Sequence, residues 1–171
     1  LGYGDLSCFG QTKFKTPNID RLAAEGVTFT DYYAGSTVCA PTRCVLMTGL
    51  HTGHAFVRGN REVQPEGQAP MPAEIVTLPR RLKDAGYTTG MFGKWGLGAP
   101  GSASDPARHF DEFFGYNCQR QAHTFYPTHL WHNDKKVLLE DGAYSADLIN
   151  DELLRFVKNN KDKPFFAYVP F

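Results

Sequence analysis

Three helix-then-strand pairs predict an α/β fold with a largely parallel, mixed sheet flanked by helices. Helical periodicity runs through residues 16–26, 78–86 and 145–159, and each stretch is followed by an apolar or β-branched run at 27–33, at 87–93 and from 165 onward. A length of 171 residues suits one domain, since domains commonly hold about 100–200 residues. Sheets of this kind carry their chemistry at strand ends and in the loops beyond them.

Each element has its own local reason. In 16–26, Thr16 is placed to cap the first amides, Pro17 suits the first helical position, Ile19, Leu22 and Ala23 form an apolar face, and Gly26 terminates. Residues 27–33 alternate and are rich in β-branched and aromatic side chains, which predicts a strand. The run 78–86 reads as a short helix ended by Gly86, with 87–93 as its strand. In 145–159, Leu148, Ile149, Leu153, Phe156 and Val157 share one face. Residues 164–171 read as a buried strand that stops without a following element, so the chain is expected to be part of something longer. Prolines and glycines make loops of 64–73 and 96–108, and loops this long commonly border a site.

Composition excludes several function classes. Lys and Arg total 18 and Asp and Glu total 18, so no strong field attracts nucleic acid or an anionic membrane. No apolar run approaches the roughly 18 residues that a spanning helix needs. The four cysteines Cys8, Cys39, Cys44 and Cys118 are too few for a disulfide scaffold and form no CxxC pair for zinc, so buried thiols are the default expectation.

Cys39 differs from the others by its neighbours. It stands two residues before Pro41, at the start of an apolar run that reads as helical, with Arg43 about one turn along. A helix start offers amides and partial positive charge, so position 39 is either an oxyanion or thiolate site or a packed thiol. Gly93, Lys94, Gly96 and Gly98 follow a predicted strand, which allows close backbone approach to a ligand beside a lysine charge or simply a tight turn. The Walker spacing is absent. His51 and His54 are three apart, as metal ligands on a helix can be, but Gly49 and Gly53 interrupt that helix. His129 and His132 flank Trp131 and read as surface or cleft-lining residues.

Together these residues resemble the sulfatase family within the alkaline phosphatase superfamily. Cys39-Ala40-Pro41-Thr42-Arg43 matches its C-x-P-[ST]-R signature, and Leu46-Met47-Thr48-Gly49 the helix that carries it. The segments 1–6, 16–23, 93–95 and 110–115 stand in the family's usual order, so the resemblance covers the whole chain. It implies an alkaline-phosphatase-like sheet, incomplete here, with residues 1–171 as the N-terminal part of a catalytic domain. It implies oxidation of Cys39 to formylglycine by a formylglycine-generating enzyme, and sulfate-ester hydrolysis by the aldehyde hydrate with Ca²⁺ assistance. Position 39 would then be a metal ligand, and the remaining Ca²⁺ ligands are expected before Leu1 and after Phe171. Arg43 would hold the hydrate and Lys94 would neutralise charge on the sulfate. Gln119, Arg120 and His123 fall in a stretch that lines the pocket of relatives, with Gln119 and His123 as candidate substrate contacts. Gly96 stands where the family often has His, which leaves open the group that assists sulfate expulsion. The implied partner is a sulfated small molecule or sulfated glycan, and the implied compartment is the periplasm, cell exterior or lysosome. Two other readings stay open at this point, a phosphonate or phosphate monoester hydrolase of the same superfamily and a non-catalytic binding domain in which Cys39 remains a thiol.

Overall fold

Pro17 opens the first helix, α1 (Pro17–Glu25), and Gly26 ends it, as the sequence predicts. The structure, a computed structural model, describes residues 2–171 and divides into two compact units, Leu1–Tyr33 and Ala34–Phe171. In the first unit, Thr16 does not cap α1 by accepting an amide of the helix. Its hydroxyl instead donates to Asp20 Oδ1 (2.8 Å) and accepts from the Ser7 amide (3.0 Å). Asp20 also accepts from Ser7 Oγ and the Cys8 amide, and the Ser7 bond is the main cause that holds its carboxyl below the ordinary range. The strand expected at 27–33 does not form. Val27 and Tyr33 are 80% and 82% exposed, and β propensity is realised only where a run packs against neighbours and finds a ladder partner.

In the second unit the helices are α2 (Cys39–Thr48), α3 (Leu78–Asp84) and α4 (Ser145–Asn160). The strands are β1 (Thr88–Lys94), β2 (Glu112–Tyr116), β3 (His129–His132), β4 (Lys135–Leu138) and β5 (Phe165–Tyr168). They form one mixed sheet in the order β4-β3-β2-β1-β5. The β1 strand runs parallel to both β2 and β5, while β3 and β4 add antiparallel edges. The hairpin β3–β4 turns at Asn133, the one non-glycine residue with positive φ among the described residues. The expected buried closing strand is corrected in one respect: β5 lies at the sheet edge and is half-buried along its length.

Side chains alternate across the pleat and build two cores. Met91 and Phe113 enter one, with Ala40, Cys44 and Met47 of α2 and with Trp95. Phe92 and Phe114 enter the other, with Ile149 and Phe156 of α4, and Leu148, Leu153 and Val157 pack against it. Burial of a phenylalanine side chain contributes roughly 1.5–3 kcal/mol, so α2 and α4 are clamped to opposite faces chiefly by these aromatic rings. Among the described residues no helix is long and apolar enough to cross a membrane.

The two long loops are fastened to each other. Trp95 Nε1 donates to Ser104 O (2.7 Å), Ser104 Oγ accepts from the Met71 amide (2.8 Å), and the Gln68 amide donates to Gly98 O (3.2 Å). The backbone after β1 is therefore held over the carboxyl ends of the parallel strands. Of the four thiols only Cys44 and Cys118 are buried; Cys8 is exposed and Cys39 partly so, contrary to the default expectation.

Candidate functional site

The start of α2 places Cys39 beyond the carboxyl ends of β1, β2 and β5, with Val38 extended before it and Gly49 in the left-handed conformation closing the helix. Ala40 and Cys44 are fully buried against the sheet, which fixes the helix and leaves Cys39 at its partly exposed corner.

Two carboxamides grip that corner. Asn60 Oδ1 accepts from the Ala40 amide (3.1 Å), and Asn60 Nδ2 donates to Cys39 Sγ (3.1 Å). From the other side, Gln119 Oε1 accepts from the Cys39 thiol. Gln119 is 4% exposed, and its amide donates to Gln68 Oε1 (2.9 Å), so the fastened loops set its position. Gly96, with φ of +72°, makes the room: a Cβ there would lie 2.7 Å from Gln119 Nε2 and 3.0 Å from its Cγ. The space beside Gly96 is therefore filled by Gln119.

The expectation of free amides at the helix start needs correction. Ala40's N–H is taken by Asn60, Pro41 has none, and Thr42's donates to Val38 O (3.1 Å). Positive charge at the site comes from side chains. Arg43 Nη1 donates to Lys94 O and to Tyr168 Oη (3.3 Å), tying α2 to the ends of β1 and β5. Its Nε is buried without an acceptor among the described residues. Cys39, Thr42, Arg43 and Tyr168 line a cavity of about 380 Å³. Lys94 does not line that cavity but a separate one of about 120 Å³, with Tyr116 and Ser145. Burial, and then the Arg43 cation, lower the Lys94 pKa from its ordinary value, while Cys39 pulls it back up. Burial likewise raises the Tyr168 phenol, against Arg43, so it stays neutral.

The remaining candidates lie elsewhere. His123 is exposed on a short 3-10 turn, Gln121–His123, and its side chain makes no hydrogen bond among the described residues. Arg120 pairs with Glu62 (2.9 Å). His51 and His54 lie past the end of α2 and are exposed. His129 pairs with Glu66, which also accepts from Trp131 Nε1. His109 is buried beside Trp95, with burial and then the Arg80, Lys83 and Arg108 charges lowering its pKa to about 4. Sequence reasoning did not find Asn60, for a lone Asn in an Arg-Gly-Asn loop carries no periodic or motif signal.

The fold and this corner define a class: an α/β domain with a cysteine held by carboxamides and flanked by cations beyond the ends of its parallel strands, where sheets of this kind place their sites. A family model described as Sulfatase matches residues 1–171, and the chain belongs to the sulfatase family. It is 31% identical over 193 aligned residues to an arylsulfatase of Hemicentrotus pulcherrimus, covering all of this chain and 35% of the relative. It is 34% identical to the dog N-acetylgalactosamine-6-sulfatase, covering 98% of this chain and 36% of the relative. A protein solved in complex with its substrate D-glucosamine-2-N,6-O-disulfate superposes with a TM-score of 0.76 at 29% identity, covering 98% of this chain and 31% of that one. The chain thus spans about a third of the length of the curated relatives it matches.

Proposed function

We propose that the protein of which this chain is part hydrolyses sulfate monoesters, aryl or carbohydrate, at position 39 after the Cys39 thiol has been converted to formylglycine. The observation that carries the reading is the grip on that position: one carboxamide donates to it and another accepts from it, beside a cavity bordered by Arg43. A paired donor and acceptor suit two hydroxyls on one carbon better than a thiol, whose hydrogen bonds are weak. Hydrated, the aldehyde would supply one hydroxyl to attack sulfur as the alcohol departs and a second to lose its proton as sulfate is expelled. The names of the relatives favour sulfated substrates, and a formylglycine-generating enzyme is the partner that maturation requires.

The chain's own residues divide the work. Asn60 and Gln119 orient the oxygens at position 39. Gln119 stands where a residue larger than Gly96 would exclude it, so its amide serves at the place where the family often has a histidine. Arg43, at the wall of the cavity that Cys39 lines, holds the hydrate, and Lys94 neutralises charge that develops on the sulfate oxygens, the kind of preorganised cation that commonly gives the largest share of barrier reduction. Gln119 touches position 39, whereas His123 as a substrate contact needs the substrate to reach the exposed turn. Ca²⁺ is the cation the resemblance implies. Among the described residues no three His, Cys, Asp or Glu side chains cluster, and a hard cation takes six to eight oxygens, so the donors of this chain alone do not make up its ligand set.

The test is turnover of 4-nitrophenyl sulfate and 4-nitrophenyl phosphate by the full-length, matured protein and by its Cys39→Ala variant. Sulfate turnover lost in the variant is the expected result. Faster phosphate turnover would make the protein a phosphate monoester hydrolase, and an unmodified thiol with no turnover would make it a binding domain.

A further inference from the structure

We propose that the cleft beside Asn60 is a second anion subsite, built for a sulfate or carboxylate on the sugar adjoining the scissile ester. The proposal rests on the sulfate-ester reading and narrows its substrate to a glycan with at least two anionic groups. The cleft measures about 530 Å³ and is lined by Phe56, Arg58, Asn60, Arg61, Ala69 and Pro70. Its walls are joined, because the Ala69 amide donates to Arg61 O (2.7 Å) and Glu62 bridges to Gln68.

Two guanidinium groups face solvent there without a carboxylate. Arg58 donates to the neutral carbonyls Gly53 O (2.6 Å) and Ala55 O (3.1 Å), which hold its side chain without cancelling its charge. Glu62, next along the chain from Arg61, is taken by Arg120 (2.9 Å). Among the described residues neither Arg58 nor Arg61 forms an ion pair. Like charges on one wall favour entry of an anion, and the planar guanidinium matches sulfate or carboxylate oxygens in a two-pronged fork. Phe56, 53% exposed, offers an apolar surface for a sugar ring. Asn60 is the shared wall, since it both lines this cleft and touches Cys39 Sγ. One ligand therefore spans both places only if its second anion lies next to its scissile ester.

The experiment uses the full-length, matured enzyme and its Arg61→Ala variant. The substrates are disaccharides that carry the scissile sulfate plus a second sulfate, a uronate carboxylate or a hydroxyl at the second position. The native enzyme is expected to favour one of the doubly charged disaccharides, which names the anion. Arg61→Ala is expected to cut that preference, read as the ratio of kcat/KM values, by about tenfold, the scale of a lost charge-assisted hydrogen bond. No preference for either doubly charged disaccharide, or an equal loss on all three, overturns the subsite. Calorimetric binding of the disulfated disaccharide to Cys39→Ala protein, with and without Arg61→Ala, needs no turnover. Arg61-dependent binding without any sulfate hydrolysis would sink the hydrolase reading and leave the subsite standing.

Discussion

Replacing Gly96 with alanine tests the packing that brings Gln119 to position 39. The substitution meets two separate costs. A non-glycine residue at φ of +72° is strained by roughly 1–2 kcal/mol. Its Cβ would also stand 2.7 Å from Gln119 Nε2, which displaces the amide from Cys39 and Gly96 O and forfeits about 1 kcal/mol of hydrogen bonding. The sum is about 2–3 kcal/mol, read as a lowered urea midpoint at unchanged slope in the full-length protein. In a Gln119→Ala background the collision is gone and only strain remains, so the double-mutant cycle should show about 1 kcal/mol of coupling. Sulfatase activity should fall in Gly96→Ala and fall no further when Gln119→Ala is added. A Gly96→Ala protein within about 0.5 kcal/mol of the parent, or strictly additive substitutions, would refute the compensation between these two residues.

Other consequences follow from the same site and its supports. His109 has a folded-state pKa of about 4 against roughly 6.5 unfolded. The unfolded chain therefore binds the proton first as pH falls, and stability declines between those values by up to about 3 kcal/mol. Urea midpoints at several pH values should show a shallower decline for His109→Gln. Lys94→Ala should lower kcat by about 10²–10³, measured with saturating 4-nitrophenyl sulfate, and an effect on KM alone would contradict a transition-state role. Because burial and Arg43 lower the Lys94 pKa, competitive inhibition by inorganic sulfate should weaken with rising pH before the ordinary lysine range near 10.4 is reached. Phe113→Ala, which empties a fully buried position beneath α2, should cost about 3–5 kcal/mol in the urea midpoint.

The sequence made α1, α3 and α4 legible because their signals are local: Pro17 and Gly26 at the two ends of α1, Gly86 after α3, and apolar residues at one period in α4. The helix α4 emerged with its predicted face of Leu148, Ile149, Leu153, Phe156 and Val157 turned to the core. The run 27–33 carried the composition of a strand and lacked a ladder partner, which composition does not encode. The β3–β4 hairpin went unread for the opposite reason, as His129, His132, Lys135 and Lys136 disguise strands whose inward residues are few. Motif and loop chemistry singled out Cys39, Arg43 and Lys94 in the sequence, and the structure sets Cys39 and Arg43 along one cavity. The proximity of Gln119 to Cys39 depends on loops fastened through Trp95, Ser104 and Gln68, contacts far apart in the chain. Asn60 had no sequence signal because its role is a long-range cap on Ala40.

Mass spectrometry of the peptide that holds residue 39, from full-length protein matured in its native host, addresses the chemistry at its root. An aldehyde in place of the thiol, trapped by a hydrazine reagent, is the expected finding. A native thiol at Cys39 in protein that nevertheless cleaves sulfate esters would show that the reaction does not pass through a carbonyl at this position.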